Sequence, residues 1–113
     1  MVSRANAMAI DESLLQEIVR RITSVATPDK VILFGSAATG EMTPDSDIDL
    51  LIVEREIADR RGEYVRIREA LGDIDYPFDI IFISTQWFEE SKNVVGGIAY
   101  PAEKYGKVIY EAA

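Results

Sequence analysis

Between Val31 and Val53 the chain reads VILFGSAATGEMTPDSDIDLLIV: an apolar run closed by Gly35-Ser36, a turn-rich loop, and Asp47-Ile48-Asp49 opening a second apolar run. Side chains two apart on a strand point to one face, so a strand beginning at 47 presents the carboxylates of Asp47 and Asp49 together. Two such carboxylates repel each other, and setting them beside Leu51 and Val53 is costly unless a cation joins them. Gly35 permits a turn and a close backbone approach denied to larger residues. Ser36 adds N–H and hydroxyl donors suited to phosphate oxygens. A third acid, Asp79, interrupts the apolar run of Phe78, Ile80, Ile81, Phe82 and Ile83, and a lone acid buried there also needs a partner. The combination is a phosphate-accepting turn beside carboxylates able to share a metal ion. Asp45, next to Pro44, reads as an ordinary turn residue.

The elements that must position these groups follow from periodicity. Leu14, Leu15, Ile18, Val19, Ile22 and Val25 recur at helical spacing behind Asp11, a capping residue, and predict a helix over 11–25 that ends at Thr27-Pro28-Asp29. Residues 30–34 and 47–54 read as strands. Ile57, Tyr64, Ile67 and Leu71 mark a second helix closed by Gly72, and residues 76–83 form a third strand. From Ser84 short helical and turn signals alternate through Gly96, Gly97 and Pro101 before a final apolar run, Val108-Ile109-Tyr110. The loop over 36–46 is too short for a helical crossover, so the first two strands run antiparallel. Residues 55–75 are long enough for a crossover to a parallel third strand. These connections bring Gly35, Ser36, Asp47, Asp49 and Asp79 to one edge of a sheet. The fold class is α/β of the α+β kind, a mixed three- to four-stranded sheet packed with helices. Residues 1–9 lack an amphipathic pattern and read as a flexible leader; residues 10–113 read as one domain.

Composition narrows the chemistry. The 113 residues include neither Cys nor His, which removes disulfides, structural zinc, thiol nucleophiles and imidazole acid–base catalysis, so any metal must be held by oxygen. A net charge of -8 argues against gripping polymeric nucleic acid, whose affinity comes from Lys and Arg neutralising phosphates. A nucleoside triphosphate carried in with divalent cations remains compatible. No run approaches the roughly 20 apolar residues that span a bilayer, and the N-terminus lacks a signal-peptide pattern, so a cytoplasmic protein without a membrane role is expected. Arg20-Arg21 and Arg60-Arg61 read as solvated helix faces. Trp87, Phe88, Tyr100, Tyr105 and Tyr110 read as core or interface residues rather than a base-stacking platform.

The Gly-Ser, short linker and Asp-X-Asp order resembles the minimal nucleotidyltransferases, relatives of the DNA polymerase β catalytic core, and the resemblance covers roughly residues 11–112. It implies a polymerase β-like fold and transfer of AMP from ATP with two Mg²⁺ ions. Asp47 and Asp49 are then metal ligands, Asp79 is a ligand and the base for the attacking hydroxyl, and Gly35 and Ser36 bind the nucleotide. Many members carry Arg at the first and third positions after Gly-Ser, where this chain has Ala37 and Thr39. The substrate domain of antibiotic nucleotidyltransferases is also missing, so a partner or a second copy must bring the acceptor. The resemblance points to antitoxins that add AMP to a tyrosine of a small helical HEPN protein. A non-catalytic subunit that neutralises its partner by binding, and an enzyme acting on a small molecule such as an antibiotic, are the alternatives.

Overall fold

The computed structural model describes residues 11–40, 42–43 and 45–113, and the leader expected over 1–9 lies outside them. In chain order the elements are α1 (Glu12–Val25), β1 (Lys30–Phe34), α2 (Ser36–Thr39), β2 (Ile48–Glu54), α3 (Arg60–Ala70), β3 (Phe78–Ser84), α4 (Thr85–Ser91), α5 (Ala99–Tyr105) and β4 (Lys107–Glu111). Asp11 caps α1 as expected, its carboxylate accepting the Leu14 N–H at 2.9 Å, a contact worth about 1 kcal/mol. Leu15, Ile18 and Ile22 form the buried stripe of that helix. Helix α3 starts at Arg60 rather than Ile57, because Asp59 caps it by accepting the Gly62 N–H.

The strands form one mixed sheet in the order β3-β2-β1-β4. Strands β1 and β2 are antiparallel, and β2 and β3 are parallel across the α3 crossover, as the connection lengths require. The apolar run at the C-terminal end becomes β4, antiparallel to β1 with a register shift between Val31 and Ile32. Alternation along the strands separates two cores. Val31, Leu33, Ile48, Leu50, Ile52 and Ile80 pack with the stripe of α1 and Ile67 of α3. Ile32, Leu51, Val53 and Ile83 pack instead with Phe88 of α4 and with Ala99 and Ala102 of α5. Central strand β2 is thus apolar on both faces, and each fully buried aliphatic side chain contributes about 1.5–3 kcal/mol.

Strand β2 ends in an acid that the core encloses. Glu54 is only 4 % exposed and faces Glu63 of α3, 8 % exposed, across a recess also lined by Thr23, Thr27 and Arg66. Burial, followed by the hydrogen bond and the charge of Glu63, pushes the Glu54 carboxyl up to about 8; Arg66 pulls the other way. Among the described residues, Oε1 of Glu54 has no hydrogen-bond partner.

Candidate active site

The opposite end of β2 carries the carboxylates singled out by the sequence. One rung of the sheet runs Phe34, Asp49, Asp79: Phe34 pairs with Asp49 across the antiparallel ladder, and Asp49 with Asp79 across the parallel one. Strand parity puts Asp49 and Asp79 on the α4–α5 side, where Leu51, Ile81 and Ile83 pack further along. Asp49 is half-buried. Its carboxyl is raised above the usual carboxylate range, first by desolvation, then by the charges of Asp79 and Asp47. Asp47 therefore lies within electrostatic reach, although it precedes β2 instead of opening it and is exposed.

Gly35 completes the arrangement. Its φ of 73° and ψ of -154° belong to glycine, and a Cβ there would overlap Oδ2 of Asp49 and lie 3.2 Å from its Cγ. The backbone at the end of β1 and the Asp49 carboxylate thus share a space that only a residue without a side chain leaves open. Ser36 follows as the first residue of α2, a short helix where the sequence suggested only a turn-rich loop; it is closed by Gly40 at φ 80°. The N–H groups of Ala38 and Thr39 donate to Gly35 O at 3.1 and 3.3 Å, whereas those of Ser36 and Ala37 precede any intrahelical acceptor.

Two expectations change. Asp79 is exposed, not a buried acid, because β3 is an edge strand and Asp79 sits near its start. The three carboxylates share an edge without meeting at a point: among the described residues no group of three or more Asp, Glu, His or Cys could hold a metal ion as placed. The donor set nevertheless fits Mg²⁺, being all hard oxygen and partly solvated, with glycine clearing the space beside its central member. The sequence alone reads Arg60-Arg61 as a plain solvated face and assigns nothing to Glu54 and Glu63, for which a charged residue ending a buried apolar strand is the available signal.

Comparison with solved structures places this arrangement in a known fold. A toxin–antitoxin complex with AMP-PNP superposes with a TM-score of 0.67 at 16% identity, covering 87% of this chain and 73% of that one. The MntA-HpeT toxin–antitoxin pair, in a mutant with two Asp-to-Glu changes two residues apart, gives 0.64 at 13% identity with the same coverage. A tri-AMPylated Shewanella oneidensis HEPN toxin in complex with its MNT antitoxin gives 0.62 at 13% identity, covering 91% of this chain and 74% of that chain. No functionally curated protein matches by sequence. The nucleotidyltransferase domain family matches residues 12–104, so the chain that carries this carboxylate edge belongs to that family.

Proposed function

We propose that the protein transfers AMP from ATP to a hydroxyl on a partner protein, a tyrosine of a small helical HEPN-type toxin, and so acts as the antitoxin of a two-component module. The observation that carries the reading is the Phe34–Asp49–Asp79 rung with Gly35 clearing the Asp49 carboxylate. Its Asp-X-Asp spacing is that of the two aspartates altered in the MntA-HpeT mutant. Complexes of similar fold hold AMP-PNP in one case and an AMPylated HEPN toxin in another.

In this reading Gly35 and Ser36 receive the β- and γ-phosphates, because the backbone there is both close and unencumbered. Asp47, Asp49 and Asp79 would hold two Mg²⁺ ions, which when bound supply charge stabilisation for the entering and leaving oxygens. The acceptor hydroxyl oxygen bonds to the α-phosphorus as the bond to the β-phosphate oxygen breaks, and pyrophosphate leaves. Asp79, open to solvent at the head of β3, takes the hydroxyl proton. The chain has no histidine to compete for that role.

A masking subunit is the second reading, favoured by Ala37 and Thr39 after the Gly-Ser pair, where many members carry Arg. Incubation with ATP, Mg²⁺ and an HEPN-type partner, followed by intact mass measurement, separates the two. A partner heavier by one or more AMP units supports transfer. An unchanged mass within a stable complex overturns it in favour of masking.

A further inference from the structure

A groove of about 540 Å³ lies beyond the carboxylates along the outer edge of the sheet, lined by Arg60, Arg61, Tyr64, Ile80, Ile81 and Phe82. Three features of this edge point to one kind of occupant. The first is backbone. Strand β3 pairs with β2 on one side only. The Ile48 N–H donates to Pro77 O at 2.8 Å, so in the parallel ladder the odd-numbered residues of β3 turn their N–H and C=O groups toward β2, and Phe78, Ile80 and Phe82 turn theirs outward. Arg68 donates to the outward carbonyl of Phe78 at 2.7 Å. The outward groups of Ile80 and Phe82 have no such partner among the described residues.

The second feature is charge. Lys and Arg number 12 against 20 Asp and Glu. Arg20 and Arg21 are tied to Glu17, and Arg21 also to Asp73. Arg60, Arg61 and Arg68 make no ion pair among the described residues, and the first two open α3, where the positive end of the helix disfavours cations. An acidic chain therefore keeps unpaired arginines beside an apolar groove, in helix positions that local stability argues against. The third feature is place: Asp79 heads the same strand, so a segment lying along Ile80–Phe82 is about 3–10 Å of strand from it.

We propose that the open edge of β3 is a docking strand for an extended acidic segment of the acceptor protein. That segment pairs with the outward backbone groups of Ile80 and Phe82, sets its carboxylates against Arg60 and Arg61, and delivers its hydroxyl toward Asp79. Only this last clause rests on the transferase reading; the docking stands on the edge itself. The probe is a short synthetic peptide of alternating Glu and Val around a central Tyr, with its Lys-for-Glu analogue as control. The acidic peptide is expected to bind, to slow exchange of the Ile80 and Phe82 amide protons, and to weaken with added salt. The Arg60→Glu, Arg61→Glu double variant is expected to lose about tenfold or more in peptide affinity while still binding ATP. Its fold should survive, because acidic residues suit a helix N-terminus. Absence of acidic-peptide binding, equal binding of the Lys analogue, unaltered Ile80 and Phe82 exchange, or full affinity in the double variant would each overturn the docking strand. A peptide that docks in this way but gains no AMP mass upholds the docking and counts against the transferase reading.

Discussion

The two ends of β2 carry the same chemistry in opposite settings. At its start Asp47, Asp49 and Asp79 share an open edge, with Gly35 holding back all side-chain bulk from Asp49. At its finish Glu54 and Glu63 are closed in by α1 and α3, and Glu54 keeps its proton to about pH 8. Acids that repel one another relieve the strain by taking a cation or by taking a proton, and access for solvent decides which. In the proposed reading the open end takes the first course, while the enclosed end takes the second. Carboxylate count alone therefore does not mark a catalytic centre.

The largest effect that could break this contrast is expected at the open end. Asp49→Asn should lower transfer by about a thousandfold in a steady-state assay, since removal of one ligand takes away several kcal/mol of transition-state stabilisation. Its melting temperature without Mg²⁺ should hold level or rise, because a repulsion has gone. A variant that transfers normally would end the assignment, and one that melts far lower would make Asp49 structural.

Next comes the enclosed end. The folded Glu54 holds its proton up to about pH 8, whereas an ordinary glutamate releases it near 4.5. Between those values the folded state binds more protons than the unfolded one, so this contribution is full below about 4.5 and is lost as pH rises through 8. Urea unfolding should show wild-type stability falling by about 4 kcal/mol from pH 5 to pH 9, with Glu54→Gln much flatter. Parallel slopes in the two proteins would show that this acid pair is not the proton-holding site.

Gly35→Ala sharpens the comparison from the backbone. The added Cβ meets Asp49 and the positive φ disfavours alanine, so a loss of about 1–2 kcal/mol in stability is expected, with at least a tenfold fall in transfer. Unchanged transfer would mean that the space beside Asp49 is unused. The smallest effect belongs to a region remote from both acid clusters in character: Val95 is 76 % and Tyr105 62 % exposed, and Val95→Ser or Tyr105→Ser should move unfolding free energy by no more than about 0.5 kcal/mol. A larger drop would place this segment in the core.

Much of this architecture is legible in the sequence. The cap at Asp11, the limits of β1, and the antiparallel and parallel senses of the first three strands followed from spacing and loop length, because those quantities are local. What escaped depended on neighbours far along the chain. Helix α2 is a single turn, too short for a periodic signal. Asp79 looked buried within an apolar run, and only the sheet order reveals that its strand lies at an edge. Glu54 carries no signal of its enclosure in the sequence, because the residues that cover it come from α1 and α3. The unpaired state of Arg60 and Arg61 likewise appears only when the partners of Arg20 and Arg21 are known.

The pairing of β4 with β1 has a kinetic consequence. Val31 and Tyr110 meet across about eighty residues of sequence, and Asp29, beside them, accepts from the Ala112 N–H and the Thr85 hydroxyl while its own N–H reaches Val53 O. Contacts of such long separation slow folding, since much of the chain's freedom must be surrendered before they form. On the ribosome, β1 must wait for the last of these strands to emerge, with one side of its ladder unsatisfied. Refolding of the isolated chain should accordingly be limited by arrival of the C-terminal strand.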